Sequence, residues 1–116
     1  MITVSEFIML LSDDMSWTEG EDFGSGEVLL RKNCARIIHR YLQKVLRESD
    51  ETEDLPTVAD IPDISDCRIC APHIVQVIAK GIMLPEQKGR IELFEGNRKV
   101  ERTEAEKLAD MIAARA

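Results

Sequence analysis

Pro72-His73-Ile74-Val75-Gln76-Val77-Ile78-Ala79-Lys80-Gly81 reads as a helix with both of its ends marked. Proline suits the first helical position, where no intrahelical partner is lost. Ile74, Val77 and Ile78 recur at helical spacing, and Gly81 is the residue type that ends a helix in the left-handed conformation. Downstream, Thr103 to about Ala114 repeats the pattern, with Ala105, Leu108, Ala109 and Ile112 on one face. The loop between them, Leu84 to Val100, has room for a brief extended piece at Ile91 to Phe94. Upstream, a short helix is expected from Val4 to Leu11, with Phe7, Leu10 and Leu11 as its apolar set. A longer one is expected from about Leu30 to Leu46. There Leu30, Cys34, Ile37, Ile38, Tyr41 and Val45 fall on one face. The expectation is an all-α fold of four main helices with long connecting loops.

The 116 residues make a single domain, 1–116, by the usual relation of length to domain number. That is enough for one modest core and too little for a large catalytic cleft. Aromatics are scarce, so Leu, Ile, Val, Met and Ala must fill the core, which favours packed helices. The net charge of −7 argues against nucleic acid as a partner, because phosphate binding is driven by Lys and Arg. No stretch approaches the run of about 20 apolar residues that a membrane span needs. The start has no Lys or Arg before Arg31 and Glu6 interrupts its apolar run, so it does not read as a secretory signal.

Charge is arranged in blocks. Residues 11–27 and 48–66 carry acids and no bases, together with glycines or prolines, and both read as loops, the second as an acidic linker. Residues 28–47 carry bases and no acids, and Arg36, Arg40, Lys44 and Arg47 form a stripe on the second helix. Without interleaved aromatics, and with acidic loops on either side, that stripe reads as a solvated or internally paired face.

Three helices begin alike. Ile2-Thr3-Val4-Ser5-Glu6-Phe7, Leu29-Leu30-Arg31-Lys32-Asn33-Cys34 and Val100-Glu101-Arg102-Thr103-Glu104-Ala105 superpose on one pattern. Where Thr and Glu stand three residues apart, the hydroxyl can accept from a first-turn amide while the carboxylate reaches back to the cap amide. A residue between them is free to point outward from a helix N-terminus, where anions are favoured.

An apolar residue followed by Thr-Arg-Ala-Glu and an apolar helix face is the signature that these starts resemble, that of the S-layer homology family. The second half carries more of it. Asp60-Ile61 and Asp63-Ile64 resemble the acidic lead-in, Ile74 through Gly81-Ile82-Met83 the first helix and its end, and Glu92-Leu93-Phe94 with Val100 the approach to the second helix. Residues 60–114 therefore resemble one near-complete repeat, and residues 1–47 hold two degenerate starts, at Glu6 and Asn33, too close together to be complete repeats. The resemblance implies a degenerate S-layer homology unit, in which three repeats usually form one pseudo-threefold body. It also implies a non-catalytic anchoring role, with pyruvylated cell-wall polysaccharide held where helix starts meet neighbouring helices. The implied ligand-binding residues are Arg102, Glu104, Arg31, Thr3 and Glu6. No start keeps the whole tetrapeptide: Val4 replaces the Arg of the first, Leu30 and Asn33 the Thr and Glu of the second, and Glu101 the Thr of the third. The alternative is an intracellular interaction or assembly module, or a homo-oligomer, that kept the fold without the glycan site. Location follows the same division: the cell surface for a fragment of a longer exported protein, otherwise the cytoplasm.

Cys67-Arg68-Ile69-Cys70 with His73 is the one cluster at metal-ligand spacing, and a fourth ligand would have to come from afar, such as Cys34 or His39. A lone Cys-x-x-Cys weighs less as a metal site than as a pair of structural thiols, and no resident cofactor is expected. Asp60, Asp63 and Asp66 lack the alternating oxygens of a calcium loop. No nucleophile stands beside a recognisable base, and no glycine loop suits a phosphate, so an enzyme is not expected.

Overall fold

The first helix, α1 (Val4–Leu11), starts at a complete capping box. The Glu6 amide donates to the Thr3 hydroxyl at 3.2 Å, and the Thr3 amide donates to the Glu6 carboxylate at 3.0 Å. The computed structural model describes residues 1–53 and 55–116. Among the described residues, α1 is followed by α2 (Arg31–Lys44), α3 (Leu55–Ala59), α4 (Ala71–Ala79), strands β1 (Glu86–Lys88) and β2 (Ile91–Leu93), and α5 (Arg102–Ala113). α1, α2, α4 and α5 lie close to the four segments read from helical periodicity.

The all-α expectation is corrected by β1 and β2, which pair antiparallel with Lys88 opposite Ile91. Among the described residues the fold is mixed, helices with one small two-stranded sheet. Gly89, at φ +64°, occupies the first position of the two-residue turn, where a left-handed residue matches the twist of a hairpin. Both strands are exposed along most of their length, so neither shows the alternation of apolar and polar residues that announces a strand. The anticipated extended piece at Ile91–Phe94 is the second half of this hairpin.

The acidic linker is also more structured than its composition suggests. It contains α3 and a 3-10 turn at Ile64–Asp66. Val58 and Ile61 pack against the core at helical spacing, and Ile64 is buried. That burial opposes the self-repulsion of the acids. Asp54, counted among those acids, lies outside the described residues.

α4 ends as its glycine implies. Gly81 sits at φ +74°, the Ile82 amide donates to the Val77 carbonyl at 2.9 Å, and the Gly81 amide donates to Ile78 at 2.9 Å. These two bonds form a Schellman closure, with Val77 and Ile82 both buried across it. The core runs between α1, α2, α4 and α5. Its largest fully buried side chains include Phe7, Phe94, Ile2, Leu29, Ile37, Ile38, Leu42 and Ile74.

Asp63 joins the linker to the chain beyond the hairpin. Its two carboxylate oxygens accept from the amides of Phe94, at 2.7 Å, and Glu95, at 2.8 Å. Glu95 is left-handed, at φ +61°, so this clamp holds a backbone conformation that a non-glycine residue disfavours. Asp63→Ala is expected to cost about 2–3 kcal/mol in urea unfolding, since it strands two charge-assisted amides. The exposed neighbour Asp66→Ala should change stability by less than about 0.5 kcal/mol.

Candidate functional site

The three similar helix starts meet. The Leu29 amide donates to the Ile2 carbonyl at 2.9 Å, and the Val100 amide donates to the Leu29 carbonyl at 2.9 Å. Thr3 bridges Val28, and Leu30 bridges Lys99, both antiparallel. Val4 and Ser5 donate to the carbonyls of Glu27 and Ser25, at 2.9 and 3.0 Å. Arg31 and Lys32 donate in the same way to Arg98 and Gly96, at 3.0 and 2.9 Å. Each partner precedes the next apolar residue, Leu29 or Val100, by the same two or four places. The loop leading into one start thus covers the first-turn amides of the start before it. Among the described residues, no such loop lies over α5, whose Glu101 cap makes no side-chain hydrogen bond.

The charged residues of the starts pair from one start to the next. Arg31, 4% exposed, donates from Nη1 to Glu104 Oε2 at 3.3 Å, from Nε to the Phe94 carbonyl at 2.9 Å and from Nη2 to the Leu84 carbonyl at 2.7 Å. Its guanidinium lies 4.6 Å from the Phe94 ring centroid. Arg102 donates from Nη2 to Glu6 Oε2 at 2.6 Å, and both side chains are nearly half exposed. That Arg102 hydrogen bond, assisted by those from Thr3, holds the Glu6 carboxyl below the usual range. The second start therefore pairs with the third, and the third with the first. The remaining pair in this cycle would join position 4 to position 33, and these carry Val4 and Asn33. The Arg and the Glu of one pair are both replaced.

Arg31 is thus engaged inside the protein, Thr3 and Glu6 cap α1, and Glu104 is shared by Arg31 and Arg98. Of the five residues in the implied ligand set, Arg102 combines a free helix N-terminus with solvent access. If the cycle is a true threefold relation, Val4→Arg and Asn33→Glu should each destabilise alone and compensate together. A double-mutant cycle by chemical unfolding is expected to give a favourable coupling of about 0.5–3 kcal/mol; zero coupling would reject the equivalence.

Beside the second start lies a cavity of about 270 Å³ lined by Lys32, Asp63, Asp66, Leu93, Glu95 and Cys67. Its wall carries more carboxylates than bases. Cys67 and Cys70 are joined by a disulfide, which corrects the reading of them as a pair of structural thiols, and their sulfurs are therefore not free for a metal. Cys34 is buried, and burial pushes its thiol up. The basic stripe is partly neutralised by the acidic loop before it: Arg40 and Lys44 pair with Glu21, at 3.2 and 3.0 Å.

His73 packs against His39 of α2. Its Nδ1 lies 2.8 Å from Nδ1 of His39, whose Nε2 lies 2.7 Å from Asp50 Oδ1. In the neutral pair Asp50 fixes the hydrogen of His39 on Nε2, so His73 must donate the single proton between the two rings. Burial, then the neighbouring His39, Arg40 and Arg36, pulls the His73 pKa down to about 4. A depressed imidazole favours the fold at full strength above the unfolded value of about 6.5 and loses that advantage as pH falls towards 4. Stability should drop by on the order of 2 kcal/mol over this window, once the partly wet ring is discounted for screening. Urea midpoints of His73→Gln are expected to be flatter between pH 6.5 and 4.5. Glu48, held down to about 2 by Arg115 and Lys80, contributes its own loss as pH falls from about 4.5 towards 2.

Comparison with known protein families, characterised proteins and solved structures finds no match for the chain. Among the described residues, no helix is long and apolar enough to cross a membrane.

Asp50 and the double role of Asp63 are not foreseen from sequence. Both sit in an acid-rich segment in which nothing marks one carboxylate from another. Gln76 is similar: 6% exposed, it exchanges hydrogen bonds with both the amide and the carbonyl of Glu51. Its only signal is a polar residue flanked by apolar ones on α4.

Proposed function

We propose that this chain is a non-catalytic binding and anchoring module built on the S-layer homology plan, with an anionic polysaccharide of the pyruvylated cell-wall kind as its ligand. The reading rests on one observation, the identical backbone hydrogen bonds by which successive helix starts are joined. Repeats that pack head to head in this way bring helix N-termini together. Among the described residues, α5 is the start whose first turn is left open, and Arg102 stands beside it. A ligand carboxylate would accept from the first-turn amides while Arg102 exchanged its Glu6 partner for the ligand.

Binding to purified pyruvylated cell wall tests this. Wild type should sediment with the wall, and Arg102→Ala should bind about tenfold more weakly, the loss of one charge-assisted contact. Glu6→Gln should bind more tightly, because it frees the guanidinium. Wild type that stays in solution would sink the proposal.

A second reading is favoured by the carboxylates near the starts. Arg102 is already answered by Glu6, and Asp63, Asp66 and Glu95 line the neighbouring cavity. On this reading the plan serves protein assembly, and the ion pairs only hold the starts together. Light scattering on a size-exclusion column then shows a defined oligomer, and cell wall is not bound.

A further inference from the structure

The Cys67–Cys70 bridge closes a four-residue turn immediately before α4, and the proposed binding role does not use it. A cross-link over so short a loop restricts the unfolded chain little, compared with one that ties distant segments together. The two sulfurs are also placed differently. Cys70 is 2% exposed, inside the core, whereas Cys67 is half-buried and forms part of the cavity wall. The Cys70 amide donates to Cys67 Sγ at 3.2 Å. That hydrogen bond favours negative charge on the outer sulfur when the bridge is open, the condition for a reactive thiolate.

We propose that Cys67–Cys70 is a thiol–disulfide exchange site, with Cys67 as the sulfur that exchanges with thiols of neutral or positive surroundings. In the oxidised protein an incoming thiolate attacks Cys67 Sγ from the cavity. The Cys67–Cys70 bond breaks, a mixed disulfide forms on Cys67, and Cys70 leaves as a thiolate that takes up a proton. A second thiolate displaces Cys67 from the mixed disulfide, leaving the dithiol and one oxidised dimer of the incoming thiol. In the reverse direction the Cys67 thiolate attacks a substrate disulfide, and Cys70 resolves the adduct by re-forming the bridge. Access decides the assignment, since an attacking thiolate must reach the sulfur, and of the two cysteines Cys67 lines the cavity while Cys70 is buried. Charge decides the substrate class: Asp63, Asp66 and Glu95 line the approach against one Lys32, so anionic thiols are disfavoured.

The oxidised protein, without denaturant, is exposed to cysteamine, 2-mercaptoethanol or thioglycolate at matched thiolate concentration and low salt, then alkylated and weighed. Each rate is taken relative to that thiol's rate on a small uncharged disulfide, so that intrinsic nucleophilicity cancels. Cys67 and Cys70 should become alkylated while the buried Cys34 stays protected, which shows that the fold remained closed. Cysteamine should react several-fold faster than thioglycolate, with the gap narrowing at high salt. A bridge that opens only in denaturant, together with Cys34, would be a structural cross-link and overturns the proposal; equal rates for the three thiols overturn the substrate class. With cystamine, Cys70→Ser should accumulate a mixed disulfide on Cys67, and Cys67→Ser should form none on Cys70. Adducts on Cys70 at a similar rate overturn the assignment. If either variant fails to fold, the wild-type rates and the protection of Cys34 still decide.

Discussion

Leu29 donates its amide to Ile2 and offers its carbonyl to Val100, and these two hydrogen bonds set where three helices can start. All three residues are buried, so the backbone groups there have no water to turn to and must find each other. Once they do, the loops before Leu29 and Val100 lie over the amides at the N-termini of α1 and α2. Helix direction, loop path and the position of Phe94 beneath Arg31 follow from that junction. The buried guanidinium then ties the junction to the hairpin region through the carbonyls of Leu84 and Phe94. A buried charge of this kind is tolerated because its donors face acceptors and its plane faces an aromatic ring.

The ion pairs around the junction differ in consequence. Arg31 with Glu104 is largely shielded, so losing either partner would leave a charge poorly compensated. Arg102 with Glu6 is exposed on both sides and holds little free energy, which leaves Arg102 able to exchange partners. The absence of a third pair, with Val4 and Asn33 in its place, removes a charge of each sign from the interior together. The same logic runs through the acidic linker. Three of its carboxylates are each committed to separate partners: Asp63 to two amides, Asp50 to His39 and Gln43, Glu48 to Lys80 and Arg115. They act as local clamps rather than as one acidic surface.

Much of the helical framework was legible in local sequence. Pro72 and Gly81 bracket α4, the apolar spacing of Cys34, Ile37, Ile38 and Tyr41 marks α2, and Thr3 with Glu6 marks the start of α1. Those features act within one turn, over distances that spacing alone specifies. Only the second half of the β-hairpin was legible, as an extended piece at Ile91–Phe94, because an exposed strand pair needs no apolar alternation. α3 was hidden by acids whose repulsion is outweighed by Val58 and Ile61 reaching the core.

For the candidate site the division follows the same physics. The sequence by itself determined which residues could cap a helix or stand at its N-terminus, since capping depends on neighbours three residues apart. Only the tertiary structure decided that Arg31 is buried while Arg102 is open, and that each pairs with the glutamate of a different helix start. It also decided that Cys67 faces a cavity while Cys70 does not. Partners tens of residues apart are chosen by how the starts pack, and the chain order of Arg, Glu and Cys carries no record of that choice.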